Sequence, residues 1–303
     1  MIIPVRDDTA GLEVALDGLR HQLHPPDEVI IANASGKPLP SPRAPKWSLR
    51  VIEVGPSFPG KARNAGARAA EHQWLVFLDA GARPTPEWLD SFCLAAEQTP
   101  DVQVIYGCYL PNLRDEWDWA AAGVYLPSRP APDVGCHPTT ASLCVRRGFW
   151  ESTAGMPENL RAGEDLLFFR DVETRRALAV TALGARVVWD LPAGARAHFS
   201  RLRRYSAATW PTELARRWHW PLIRMYAAAL AMISAMPALH PAFAAVVPAL
   251  VAVRVARNYH RRMPGLPLAL TPIRVLRLAA MTGLVDAATL LGIWDSLSRR
   301  QPR

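Results

Sequence analysis

Three short apolar runs in the first 80 residues, separated by helix-patterned stretches, constrain this chain more than any other feature. Ile2–Val5, Val29–Ile31 and Leu75–Leu78 are β-branched or aromatic in large part, and each ends at a polar or glycine-containing turn. That is the pattern of strands buried on both faces of a parallel sheet. Between the first two, Thr9 to Leu23 carries apolar residues at Leu12, Val14, Ala15, Leu16 and Leu19; before the third, Gly60 to Glu71 is rich in Ala and Arg. Both stretches read as helices, and parallel strands need such crossovers. The alternation predicts an α/β domain with a mostly parallel sheet flanked by helices. Further strands are expected at Val102–Tyr106, Ala141–Val145 and Ala185–Trp189, and a further helix at Asp165–Arg176. Ligands of such sheets sit beyond the carboxyl ends of the strands, where Asn33–Gly36 and Asp79–Gly81 fall. The Pro-rich stretches 38–45 and 127–138 read as loops.

Charge divides the chain. Its 303 residues carry a net +8, yet residues 1–200 alone are net −4, and residues 201–303 hold 15 basic against 3 acidic side chains. The expected domains are therefore 1–200 and 201–303. Met225 to Val253 contains no charged side chain over 29 residues, more than the ~20 that cross a bilayer as a helix. Prolines at 237, 241 and 248 interrupt it, and arginines flank both ends. A single crossing would leave one basic flank outside, against the positive-inside tendency. A hairpin turning near Pro237–Pro241 keeps both flanks on one side, although each arm, at ~18 Å of helix, is too short to span. Leu276 to Leu297 is a second apolar stretch, interrupted by Arg277 and Asp286, and reads as a helix lying in the membrane plane. The C-terminal third is thus expected to be an apolar, Arg-rich, helical, membrane-associated region. An anionic membrane face suits it better than nucleic acid, for which no binding motif is present. No charged segment followed by an apolar one opens the chain, so no secretory signal is expected. Cys93, Cys108, Cys136 and Cys144 lack CxxC spacing and read as reduced core thiols rather than a metal site with His137. Together these place the protein at the cytoplasmic membrane, its catalytic part facing the cytosol.

The chemistry gathers in three places. Gly55 to Ala62 nearly matches GxxxxGK(S/T), but Ala62 has no hydroxyl for magnesium, and Pro56 and Pro59 delete amides from a loop that works through its amides. Lys61, Arg63 and Asn64 instead open a basic helix. Asp79 stands at a strand end, and Glu164 and Asp165 lead into an apolar helix face. A strand-end carboxylate suits a divalent metal through hard oxygen ligands, and the acidic pair suits proton removal from an attacking hydroxyl. That set fits chemistry on a diphosphate-activated substrate; capping or a solvated turn is the structural alternative for each acid.

These residues resemble family 2 glycosyltransferases of the GT-A fold. The likeness rests on Ile2-Ile3-Pro4-Val5, on Glu28 to Ser35, on Lys61-Ala62-Arg63-Asn64-Ala65-Gly66, on Phe77 to Gly81 with Pro86-Glu87-Trp88-Leu89, and on Gly155 followed by Gly163-Glu164-Asp165. They occur in family order over residues 1 to 200. The resemblance implies a nucleotide-sugar donor, inverting transfer and Mg2+ or Mn2+. It implies that Asn33 lies near the nucleobase, that Pro4, Ser35 and Lys61 line the donor site, and that Arg63 and Asn64 flank the nucleotide and diphosphate. Asp79 matches the first acid of the DxD motif, Asp165 the catalytic base with Glu164 beside it, and His198 a metal- or diphosphate-contacting His after a late strand.

Three departures shape the expectation. Gly81 replaces the second DxD carboxylate, so either Asp79 with His198 and diphosphate oxygens holds the metal, or binding is weak and Arg63 helps neutralise the leaving group. Asn33 replaces an Asp. Leu214 replaces the Gln of the QxxRW motif that processive synthases carry, ahead of Arg217 and Trp218. Transfer of a single sugar to a hydroxyl acceptor, lipid-linked or soluble, is expected rather than polymer synthesis. The alternatives are a non-catalytic GT-A-like scaffold that binds a nucleotide sugar, motivated by Gly81, and a nucleotidyltransferase.

Overall fold

The computed structural model describes residues 1–40, 47–125, 138–235, 248–249, 252–257 and 271–298. The chain divides into two units, Met1–Asn112 with Pro130–Asp190, and Leu113–Arg129 with Leu191–Arg303. Residues 113–129 and 191–200, which the 1–200 expectation counts with the first domain, group with the second unit.

In chain order the elements are β1 (Ile2–Val5), α1 (Thr9–Arg20), β2 (Glu28–Asn33), β3 (Ser48–Glu53), α2 (Pro59–Ala69), β4 (Trp74–Phe77), β5 (Ala82–Pro84), α3 (Trp88–Gln98), β6 (Val104–Asn112), α4 (Glu116–Val124), β7 (Leu143–Arg146), α5 (Arg147–Glu151), α6 (Glu164–Thr174), β8 (Ala179–Asp190), α7 (Gly194–Thr209), α8 (Leu214–Ala235) and α9 (Pro272–Ser298). All eight strands form one sheet, ordered β3-β2-β1-β4-β7-β6-β8-β5. The β3-β2-β1-β4 half is parallel, while β7 runs antiparallel to both β4 and β6, and β5 antiparallel to β8. With β6 and β8 also parallel, four of the seven pairings among the described residues are parallel, so the sheet is mostly parallel, as expected, with antiparallel pairings at β7 and β5.

Strand pleat explains the continuous apolar runs. Ile2 and Ile30 face α2, α5 and α6, where Ala67, Phe149, Trp150, Phe168 and Val172 cover them. Ile3, Val29 and Ile31 face the opposite side, against Leu12, Leu16 and Leu19 of α1 and Trp88 and Phe92 of α3. Alternate side chains point to opposite faces, so a strand covered on both has no polar positions to show. β3 lies at the sheet edge and is half exposed along its length, which is why its sequence lacks that signature. Pro59 sits at the first position of α2, where its missing N–H costs nothing; the Gly55–Ala62 stretch starts a helix and is not a phosphate loop.

Cys93 is free and exposed and Cys144 free and buried. Cys108 is disulfide-bonded, which corrects the expectation of reduced core thiols for that residue. Cys136, and the hairpin turn expected at Pro237–Pro241, lie outside the described residues.

The second unit is helical. α9 packs on α7 and α4, and less extensively on α8. Gly292 of α9 lies directly against Ser206 and the Arg203 carbonyl of α7, a close approach that any side chain would block.

Candidate donor and catalytic site

In the first unit, three elements meet at one guanidinium. Arg63, on the first turns of α2, donates from Nη2 to Asp79 Oδ1 and from Nη1 to Glu164 Oε1, both at 2.6 Å. Asp79 follows β4, and Glu164 and Asp165 open α6 behind Gly163, whose φ of +85° starts the helix and favours glycine. Arg63 and Glu164 are each 5% exposed, whereas the Asp79 side chain is 34% exposed. Burial works to lower the Arg63 pKa, but Asp79 and Glu164 outweigh it and hold the guanidinium charged well above its ordinary value. Among the described residues, Arg63 Nε and Glu164 Oε2 are buried without a hydrogen-bond partner. Unmatched buried polar atoms are uncommon, and strain, a catalytic role, a water or an ion can account for them.

Asp165 lies beside this pair, its Oδ1 accepting the Leu166 N–H at 2.9 Å. Burial, then the neighbouring Glu164 charge, push its pKa up to about 7 against the opposing pull of Arg63. A carboxyl titrating near neutrality is suited to remove a proton from a hydroxyl.

The remaining expected residues divide into exposed and committed ones. Pro4 is half-buried in β1 opposite Ala32, and Lys61 is exposed on α2. Asn33 is fully buried: its amide nitrogen donates to the Lys37 carbonyl at 2.7 Å and to Glu53 Oε2 at 2.8 Å, and its oxygen accepts from the Ser35 amide and hydroxyl. Asn33 and Ser35 thus shape the strand-end loop, and the exposed carboxylate there belongs to Glu53, in register with Asn33. Only the pairing of β3 with β2 brings it there, and the β3 sequence alone carries no alternation that signals it. Asn64 is equally committed: its amide pairs with the Met156 backbone in both directions and with Glu158 Oε1, so it fastens α2 to the 155–158 loop.

Gly81 adopts φ +85°, its N–H donates to the Gly11 carbonyl at 2.8 Å, and a Cβ there would lie 3.5 Å from Asp8 Oδ2. Asp8 is the N-cap of α1. The position of the missing DxD acid is therefore a tight turn beside another carboxylate.

His198 comes after β8 in the chain, near the start of the next helix. It lies within α7 of the second unit, wholly buried, with Nδ1 paired to the Tyr125 hydroxyl and Nε2 without a partner among the described residues. Burial lowers its pKa, which favours the neutral ring. The two expected metal ligands thus stand in different units. Among the described residues no group of three or more His, Cys, Asp or Glu could hold an ion. Mg2+ commonly takes only one or two carboxylates plus substrate phosphates and water. The partly exposed Asp79, with one oxygen toward Arg63, fits that mode and no fuller one.

Residues 1–134 match the family described as glycosyl transferase family 2. No curated protein sequence matches the chain. Among solved structures, a mannosyltransferase from Pyrobaculum calidifontis in complex with GDP-Man and Mn2+ aligns over 99% of this chain and 87% of its own, with TM-score 0.65 at 16% identity. Staphylococcus aureus TarS 1-349 in complex with UDP-GlcNAc aligns over 99% of this chain and 90% of its own, with TM-score 0.48 at 16% identity. The first likeness is one of fold. With the family match over residues 1–134, which hold β1 to β6, it identifies that part of the chain as a family 2 glycosyltransferase domain with the GT-A fold.

Proposed function

We propose that the protein transfers one sugar, with inversion, from a nucleotide-diphosphate sugar to an acceptor hydroxyl at a membrane face. The observation that carries this reading is Arg63 bridging Asp79 and Glu164 next to a carboxyl that titrates near 7. It sets a fixed positive charge and a base within one strand-end site. Asp165 takes the proton of the acceptor hydroxyl, whose oxygen attacks the anomeric carbon on the face opposite the diphosphate. The bond from that carbon to the diphosphate oxygen breaks, and the nucleoside diphosphate leaves with the electron pair. Arg63 and Lys61 bring positive charge to the growing anion, an electrostatic contribution that is often the largest in such reactions. Asp79 would hold Mg2+ or Mn2+ together with the donor's phosphates, and a bound ion supplies Lewis-acid stabilisation of the leaving group.

A lipid-linked acceptor is favoured by the Arg-rich, apolar C-terminal third. It is the one part of the chain where basic charge and long uncharged stretches coincide. A helix long and apolar enough to cross a membrane, α9, lies in the same region.

The test is calorimetry on detergent-purified protein with nucleoside diphosphates and nucleotide sugars, with and without Mn2+, followed by an assay for sugar release. Mn2+ alone is expected to give no heat, because one carboxylate makes a weak site. One nucleotide sugar is expected to bind more tightly with Mn2+, and its sugar to be released slowly to water. Donor binding with no release at all would favour the non-catalytic scaffold, and no binding across the panel would overturn the reading.

A further inference from the structure

Helix α9 runs for 27 residues, about 40 Å at 1.5 Å per residue, and its two faces differ sharply. Leu276, Ala280, Gly283, Ala287, Leu290 and Trp294 are all exposed and follow one another by four, three, four, three and four residues. That spacing keeps them on one side of the helix, and none carries charge. Leu276 is 69% and Trp294 67% exposed. Outside that strip the helix is fastened by ion pairs at three levels. Arg274 near the N-terminus pairs with Glu116 of α4 at 3.2 Å. Asp286 near the middle pairs with Arg254 and accepts the Tyr226 hydroxyl at 2.7 Å. Asp295 near the C-terminus takes a two-pronged contact from Arg203 of α7 at 2.6 Å. Between the last two levels, Ser206 of α7 donates to the Thr289 carbonyl at 2.7 Å.

We infer that this strip seats α9 in the plane of an anionic leaflet, without crossing it. The inference rests on the membrane-face reading above and adds the surface and the depth. A crossing helix would carry the Asp286–Arg254 pair to the bilayer centre, where ionised side chains are costly. It would also draw in α7, which bears Arg196, Arg201, Arg203 and Arg204. An in-plane helix puts the strip among the acyl chains and leaves all three ion pairs on the water side. Trp294 then occupies the interface that its amphipathic ring prefers. Charge complementarity selects the leaflet: two of the three acids in residues 201–303 are matched to arginines, while Arg216, Arg217, Arg224 and Arg257 are exposed. Small residues at the centre of the strip would also admit a second copy of the chain, and the test separates the two occupants.

The experiment uses the full chain and phosphatidylcholine vesicles with and without phosphatidylglycerol. Leu290→Ser with Trp294→Ser is expected to lower flotation with anionic vesicles by tenfold or more, on the order expected for two exposed apolar anchors. Unchanged flotation would overturn the inference, as would an altered oligomeric state in detergent without lost flotation. For depth, Thr271→Cys and Ser298→Cys are placed singly in a Cys93→Ser background and treated with an impermeant maleimide in sealed vesicles. Equal labelling of both ends without detergent is expected; labelling of one end alone would mean that α9 crosses. Donor-binding heat is read on the same samples, so its loss in every sample, wild type included, would sink the transferase reading while leaving the membrane result intact.

Discussion

Asp165 is where function and stability pull in opposite directions. Its folded pKa of about 7 lies above the value near 4 of a free aspartate. The folded state therefore holds the proton more firmly, and the stability this contributes is full below pH ~4 and lost as pH rises through ~7. Asp165→Asn is expected to raise Tm by a few degrees at pH 8 and to change nothing at pH 4, in parallel thermal scans. The same variant should lose at least about a hundredfold in kcat while its donor-binding heat stays the same. An active variant would remove Asp165 from the mechanism. Wild-type transfer should fall on the acid side of pH ~7 as the base becomes protonated. Gly81 gives the second residue-scale prediction. Restoring the acid with Gly81→Asp forces a side chain into a left-handed conformation, about 1 kcal/mol, beside Asp8. A lower Tm and no gain in Mn2+ affinity are expected, the latter by calorimetry in the presence of nucleoside diphosphate. The places of Asp79 after a strand and Asp165 at a helix start were legible because short motifs surround them. The commitment of Asn33 was not, because Glu53 stands on another strand and only pairing in register brings the two together.

Elements were legible to the extent that both of their faces are buried. β1, β2 and β4 announce themselves as apolar runs and α1 and α2 as the crossovers between them. Edge strand β3 and the three-residue β5 give no comparable pattern, and nothing in periodicity says that β7 enters the sheet antiparallel. The α6 start was legible as an acidic pair, yet its junction with α2 through Arg63 spans 101 residues and belongs to the fold. That junction makes a prediction. Arg63→Lys replaces a planar fork by a single ammonium that cannot face two carboxylates in the same way. Lower Tm and at least tenfold weaker donor binding are expected. Arg63→Met goes further by leaving Glu164 and Asp79 without their cation. Because Arg63 lowers the Asp165 pKa, its loss should move the acid limb of the pH–rate profile upward, with Arg63→Lys moving it less. An unmoved limb would mean that Arg63 does not act on the base.

At the scale of the whole molecule, two charge populations share one chain: residues 1–200 are net acidic, and residues 201–303 carry 15 basic side chains against 3 acidic. The sequence displayed this division plainly, along with the apolar stretches that accompany it. It could not show which face of α9 is left uncovered, because that depends on α4 and α7 occupying the other face. Two forces of different salt dependence then act on the same surface. Attraction between exposed arginines and anionic lipid is screened once the Debye length falls to ~3 Å near 1 M salt, whereas apolar burial along the α9 strip is not. Flotation with phosphatidylglycerol vesicles should therefore fall as salt rises and then level off above zero. Flotation with pure phosphatidylcholine should be weaker and nearly indifferent to salt. Complete release by salt alone would mean that the strip contributes nothing, and salt-indifferent binding to anionic vesicles would mean that the arginines do not face the lipid.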